Sequence, residues 1–325
     1  MPNEFEIITK FLSPLAGEGA FDFKDDAAIL SLPPEKELVI TQDALAGGVH
    51  FFEDDPPEMI AKKALRTNLS DLASKGARPY SISLALGLKA DVSEDWLRRF
   101  AMGLGDDMKA FNVSLSGGDT FVIGAQTVIS ITALGLIDAE NYLSRLNAKP
   151  GDGLFVTGTI GDGALGLLAR QGKLGDLVNE QREYLIDRYL LPKPRVEIAD
   201  LLHEFASAAM DISDGLAGDL EKLCAASGVG AQIELDNSHF SNAVQNAIEF
   251  DSDLLKTAVT GGDDYEILFA VPQDKISSML EHAKELPFTV TCLGKTCKAR
   301  EVIFQDHSGQ KMTFDKTGFD HFRTG

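Results

Sequence analysis

Aspartates recur along this chain in short motifs that also hold glycine or serine. They are Asp25 and Asp26 in "FKDDAAIL", Asp43 in "VITQDALAGGVHF", Asp71 in "NLSDLASKG", Asp119 in "SLSGGDTF", Asp211 and Asp214 in "DISDGLAGD", and Asp263 and Asp264 in "GGDDYEILF". In "DISDGLAGD" three carboxylates fall within nine residues and no basic side chain lies among them. Two like charges a few ångströms apart repel by roughly 1 kcal/mol even in water. Either solvent screens them or a cation joins them. A single aspartate of this kind is an ordinary helix cap or turn residue. Repetition at the ends of elements, where α/β folds gather their ligands, points instead to divalent cations with hard oxygen ligands.

Other chemistries are poorly supplied. No nucleophile elbow or metalloprotease helix is present, which argues against acyl transfer. Cys292 and Cys297 lack the second pair that a zinc site needs. With 50 acidic and 30 basic residues the formal charge is −20, which speaks against a nucleic-acid or acidic-membrane surface. No apolar run is long enough to span a bilayer. The acidic start "MPNEFEIITKF" lacks the signal-peptide pattern, so the expected location is cytoplasmic.

Elements able to position the aspartates are legible in the pattern. "YSISLALGL" alternates Ile82, Leu84, Leu86 and Leu88 with Ser81, Ser83, Ala85 and Gly87, predicting a strand with one bulky and one small face. "ELVITQD" and "QTVISITALGLI" also read as strands. Ala61, Leu65, Leu69 and Leu72 predict one helix, and Leu97, Phe100, Leu104, Met108 and Phe111 another, with Ser93 as its N-cap. Asp71 and Asn68 share one face of the first helix. "NAKPGDG" is the expected boundary, dividing residues 1–146 from 147–325, with strand "LFVTG" opening the second α/β part. A short internal echo, "NLSDLA" with "DISDGLA" and "SGGDT" with "TGGDD", raises the idea of duplicated halves.

"LFVTGTIGDGALGLL" contains G-x-G-x-x-G at Gly161, Gly163 and Gly166, the dinucleotide fingerprint that would make the protein an NAD-dependent oxidoreductase. That fingerprint requires a second strand ending in an acidic residue about 20 positions on. Glu180 and Glu183 lie at that distance, but within a polar, helical stretch. The glycines are therefore expected to shape a tight turn and a helix start. A non-catalytic, acidic metal-binding protein is the other competing reading.

In this order, "DDAAIL", "TQDALAGGVHF", "KALRTNLSDLASKGARP", "LSGGDT", "LNAKPGDGLFVTGTIGDGALGL", "LPKPR", "DISDGLAGDL", "GGDDYEI" and "GFDHF" resemble the thiamine-monophosphate kinase family. That family lies in the superfamily of aminoimidazole ribonucleotide synthetase, and the resemblance covers nearly the whole chain. It implies a mixed α/β, two-domain fold whose N-terminal sheet pairs across a homodimer, with a C-terminal α/β domain completing the active site. The implied reaction is transfer of the ATP γ-phosphoryl group to thiamine monophosphate with magnesium, giving thiamine diphosphate and ADP. By motif, the resemblance makes Asp26, Thr41, Asp43, Asp71, Asp119, Asp211 and Asp214 magnesium ligands. Gly118, Asp119, Arg145 and Ser213 become ATP contacts, and His50, Asp263 and Phe319 thiamine-phosphate contacts. Asp219 is expected to be a bystander. The chain departs from the family pattern at Lys24 and Gln42, and in having Phe319 without a hydroxyl.

Overall fold

The computed structural model describes residues 2–175, 177–306, 309–314 and 317–318; Phe319 lies outside them. The chain forms two compact units, Met1–Leu72 with Ala77–Tyr142, and Ala73–Gly76 with Leu143–Gly325.

The first unit opens with the short helix α1 (Glu4–Ile7), capped reciprocally by Asn3 and Glu6. It continues through β1 (Lys36–Ala46), α2 (Pro57–Ser74), β2 (Arg78–Lys89), α3 (Glu94–Ala110), β3 (Ser114–Ile123) and β4 (Val128–Asp138). The strands form one sheet in the order β1-β4-β2-β3, antiparallel except for the β2–β3 pair. Ile82, Leu84 and Leu86 of β2 stand opposite Ala133, Ile131 and Ile129 of β4, and all six are buried. That is the bulky face expected from the alternation. The helical rows are buried as well, with Ala61, Leu65, Leu69 and Leu72 on α2 and Leu97, Phe100, Leu104 and Met108 on α3; Phe111, expected to continue the row, is the C-cap after α3 and is only half-buried. The Ser93 side chain accepts the Trp96 N–H, as its N-cap position predicts. Close contacts fix the layers. A Cβ at Gly135 of β4 would lie 3.1 Å from Leu72 of α2, and one at Gly103 of α3 only 2.3 Å from the Glu58 carbonyl of α2.

The second unit holds β5 (Gly153–Thr157), α4 (Asp162–Arg170), α5 (Asn179–Leu190), α6 (Ala199–Phe205), β6 (Ala208–Ile212), α7 (Leu216–Ser227) and β7 (Gly230–Leu235). It continues with α8 (Asn242–Phe250), α9 (Leu254–Thr260), β8 (Glu266–Val271), α10 (Ile276–Ala283), β9 (Val290–Cys297), β10 (Val302–Asp306) and β11 (Lys311–Met312). The sheet order is β11-β10-β7-β9-β5-β8-β6. Strands β5, β6 and β8 are buried at every residue, so both sheet faces are covered. Leu154, Val156, Met210, Ile212 and Leu268 point into one core, while Phe155, Ala209, Ile267 and Phe269 point into the other.

Cys224 of α7 sits in the first of these cores, 2% exposed, and burial pushes its thiol up to about 12. In an unfolded chain the thiol ionises near ~8.5. The folded state therefore keeps its proton where the unfolded state loses it. The resulting stability is intact below about pH 8.5 and is lost as pH rises toward 12, by up to about 1.4 kcal/mol per pH unit. Across the thiol range, about pH 9 to 11, the melting temperature of the wild type is expected to fall more steeply than that of Cys224→Ala. Parallel slopes would show that the thiol titrates alike in both states.

The internal echo does not correspond to equivalent positions. Asp71 lies inside α2, whereas Asp214 precedes α7; Asp119 lies inside β3, whereas Asp263 precedes β8.

Candidate active site

In the first unit, Thr41 and Asp43 are two residues apart on β1 and so share a face of the sheet. On α2, Asn68 and Asp71 lie three apart and share a helix face. The two pairs meet. The Thr41 hydroxyl donates to Asp71 Oδ2 at 2.5 Å, and Asn68 Oδ1 accepts the Asp43 backbone N–H at 3.0 Å. Asn68 is fully buried and anchors its own amide to the Ala64 carbonyl, making it the brace of the cluster. Gln42 points the other way, its amide donating to Ser130 Oγ at 2.9 Å on β4, so it does not stand beside Thr41 and Asp43.

A cavity of about 460 Å³ collects Asp25, Asp26, Ser83, Ser116, Gly118 and Asp119 over an apolar floor that includes Ile8, Leu12, Phe23 and Leu115. Gly118 is required by its neighbour strand, because a Cβ there would lie 1.8 Å from the Leu84 carbonyl oxygen. Register relates this cavity to the β1 cluster. Asp43, Ile131, Leu84 and Gly118 form one row across the sheet, which spans about 14 Å at three strand spacings. Asp119 belongs to the next row, with Ala85 and Ser130, on the opposite face of the pleat. Thr41, Asp43 and Asp71 thus form one group, and Asp26, Gly118 and Asp119 another. His50, in the turn after β1, accepts the Ala46 N–H at Nδ1 (3.0 Å), which leaves Nε2 as the donor nitrogen.

In the second unit, Asp211 is buried near the end of β6, and the chain turns through Ser213 and Asp214 into α7. Asp219 is 1% exposed, and its Oδ2 accepts the N–H of Ser213 at 3.0 Å and of Asp214 at 2.9 Å. Lys222 bridges Asp214 Oδ2 (2.5 Å) and Asp219 Oδ1 (2.8 Å). Burial pushes the Asp219 carboxyl up, against the pull of Lys222. The expected bystander is therefore built into the turn. The Ser213 carbonyl accepts the Asp263 N–H at 3.0 Å, which brings the "GGDD" segment alongside. Asp263 has a φ of 72° and Tyr265 one of 53°, both left-handed, with Asp264 turned inward between them. Arg145 has an exposed side chain, and its carbonyl accepts from Ser227 Oγ at 2.8 Å.

Asp264 also settles the dinucleotide reading. Its carboxylate accepts the N–H of Gly161 at 2.8 Å and of Gly163 at 3.0 Å, the amides that a pyrophosphate would take at this helix start. Burial drives this carboxyl well above the usual carboxylate range, opposed by those two amides. The glycines are packing residues. A Cβ at Gly161 would lie 2.4 Å from Ala258, one at Gly163 2.2 Å from the Asp263 carbonyl and one at Gly166 2.1 Å from the Leu185 carbonyl. Strand β5 pairs antiparallel with both its neighbours, so no parallel βαβ unit exists there. Behind Asp264, Glu266 is fully buried. It receives Thr157 Oγ1 at 2.6 Å, Arg188 Nη2 at 2.9 Å, and both Arg195 Nε and Arg195 Nη2, at 2.7 and 2.5 Å.

Among the described residues no three His, Cys, Asp or Glu side chains converge as a metal cage. The donor set nevertheless suits magnesium. A hydroxyl and two carboxylates at the Thr41–Asp43–Asp71 cluster are hard oxygens, and magnesium is held by one or two carboxylates with water and substrate phosphates supplying the rest. No helix of the described residues is long and apolar enough to cross a membrane.

Residues 24–137 match the family model of the AIR synthase related protein, N-terminal domain, and residues 149–307 that of its C-terminal domain. The thiamine-monophosphate kinase of Salmonella typhimurium is 39% identical over 300 residues, covering 92% of this chain and 91% of that protein. A crystal structure of thiamine-monophosphate kinase from Stenotrophomonas maltophilia is 36% identical with a TM-score of 0.80, covering 89% of this chain and 90% of that one. A structure of AaThiL complexed with AMPPCP and TMP is 28% identical with a TM-score of 0.78, covering 98% of this chain and 97% of that one. The chain belongs to the thiamine-monophosphate kinase family, within the AIR synthase related proteins.

Proposed function

We infer that this protein transfers the γ-phosphoryl group of ATP to the phosphate of thiamine monophosphate, producing thiamine diphosphate and ADP. The observation that carries the reading is the oxygen-donor cluster of Thr41, Asp43 and Asp71, braced by Asn68, in a chain of this family. The chemistry needs little else. An acceptor phosphate oxygen is already ionised near neutral pH, so no general base is required. It bonds to the γ-phosphorus as the bond from that phosphorus to the β,γ-bridging oxygen breaks, and ADP leaves with that oxygen. The obstacle is the repulsion of two anions. Bound magnesium supplies charge neutralisation of the phosphates.

The residues divide the work. Thr41, Asp43, Asp71, Asp26, Asp119, Asp211 and Asp214 are the proposed magnesium ligands. Gly118, Asp119, Arg145 and Ser213 are the proposed ATP contacts. His50 presents its Nε2 proton to the thiamine phosphate, and Asp263 offers its carboxylate to the thiazolium cation. In the assigned division, residues 1–146 carry most of the ATP and metal ligands and residues 147–325 supply the others. The outer face of the first unit's sheet, with Ile40 63% and Phe121 42% exposed, is assigned to a second copy of the chain. Light scattering at micromolar concentration tests that pairing. The proposed location is the cytoplasm, where ATP is abundant.

The decisive experiment incubates the purified protein with ATP, magnesium and thiamine monophosphate and follows thiamine diphosphate by chromatography. Product is expected, and chelation with EDTA is expected to abolish it. ATP loss without thiamine diphosphate would move the assignment to another acceptor, and no ATP consumption would overturn the kinase reading.

A further inference from the structure

We propose that Asp219 is a positioning residue that sets the turn carrying Ser213 and Asp214, acting through their backbone amides and through the Lys222 ammonium that it shares with Asp214. The proposal rests on the reading above, in which Ser213 and Asp214 serve ATP and metal.

The geometry is unusual for a helix cap. Asp219 sits in the first turn of α7, yet it does not satisfy that helix's own leading amides from in front. It reaches back beyond Gly215 to Ser213 and Asp214, which precede the helix. Both peptide groups of Ser213 are thereby fixed, its N–H by Asp219 and its carbonyl by Asp263 N–H. The turn has no slack elsewhere. Gly215 has a φ of 112°, and a Cβ there would lie 2.6 Å from the Thr260 carbonyl carbon; one at Gly262 would lie 2.3 Å from the Ser213 carbonyl oxygen. Lys222 then ties the carboxylates of Asp214 and Asp219 together, so the direction of Asp214 is coupled to the same buried group.

A carboxylate buried at 1% exposure is costly unless it is bonded on several sides. Here its partners are the amides of two proposed site residues and a lysine that also holds one of them. Solubility or helix propensity would not require this arrangement. It preorganises the turn before any ligand arrives, as outer partners do for metal ligands, where their loss costs about 10- to 100-fold in affinity or activity.

Asp219→Asn keeps the size and one acceptor oxygen but loses the charge that pairs with Lys222; Asp219→Ala removes both. Two readouts are needed. The first is binding of manganese in the presence of a non-hydrolysable ATP analogue, followed by electron paramagnetic resonance, which requires no turnover. The second is the kcat and the half-saturating magnesium concentration for thiamine diphosphate formation. For Asp219→Asn, manganese affinity is expected to fall about 10- to 100-fold, with a matching rise in half-saturating magnesium. The KM for thiamine monophosphate should stay within about twofold, since that ligand is assigned to other residues. Wild-type manganese affinity in a folded Asp219→Asn, whatever its melting temperature, would overturn the proposal and leave Asp219 a stability residue. Should Asp219→Ala fail to fold, the asparagine variant alone decides. Should the wild type form no thiamine diphosphate, the kinase reading fails while the manganese comparison still tests the positioning.

Discussion

Asp43→Asn is expected to lower kcat/KM for thiamine diphosphate formation by about 10²- to 10³-fold while leaving the fold intact. The backbone explains the second half. The Asp43 N–H bonds to Asn68 Oδ1, and the residue pairs with Ile131 across the sheet; neither contact involves its carboxylate. An asparagine side chain has the same shape, so the register of β1 does not change. What disappears is one negative charge beside Thr41 and Asp71. Charge stabilisation by a metal contributes several kcal/mol to transition states of this type, and losing about 3–4 kcal/mol corresponds to the stated factor. The melting temperature is expected to stay within a few degrees of the wild type, because the backbone contacts of Asp43 are kept. Steady-state kinetics with a parallel thermal melt checks both statements. Activity within threefold of the wild type would remove Asp43 from the ligand set.

Glu266→Ala acts on the other side of the ledger, with an expected loss of about 3–5 kcal/mol of stability in the second unit. Arg188 and Arg195, at 3% and 14% side-chain exposure, both direct guanidinium groups at this one fully buried carboxylate. Truncation leaves the buried Arg188 and the partly buried Arg195 short of a partner and strips Thr157 of its acceptor. Arg188 retains the longer contact to Asp162 Oδ2 at 3.6 Å and its bond to the Asp264 carbonyl at 3.3 Å, while Arg195 keeps its place 4.7 Å over the Phe288 ring. A loss of that size is a large part of a domain's usual stability. It is read as a lowered urea midpoint for the transition of the second unit at unchanged slope. A shift worth less than about 1 kcal/mol would show that water repairs the gap.

Much of the scaffold follows from local pattern. Period-two alternation identified the buried face of β2, and steps of three and four identified the buried rows of α2 and α3. The i, i+2 spacing of Thr41 and Asp43 and the i, i+3 spacing of Asn68 and Asp71 suffice to put each pair on one face. The acidic motifs of the second unit were less legible, because a carboxylate aimed at a cation and one aimed at its own backbone have the same sequence signature. Asp264 bonds amides more than a hundred positions away, and Glu266 reaches Thr157 109 positions back. Only the folded sheet brings those partners together. Asp219 was missed for a related reason, since reading it as an idle acid required only that no ligand be assigned to it. The face on which Asp119 lies depends on β4 inserting between β1 and β2, and on the irregular register near Ser83, neither of which a strand pattern encodes.

The plug that Asp264 forms at the Gly161 turn bears on inhibition. Every small molecule in the proposed reaction, substrate or product, carries phosphate. A helix start whose amides stood open would trap any of them without productive outcome. By filling that start with the oxygens of its own Asp264 side chain, the chain occupies the amides that such anions would take. Excess nucleotide or inorganic phosphate should therefore inhibit only by competing at the working pockets, with no second, idle subsite at this glycine turn to produce substrate inhibition.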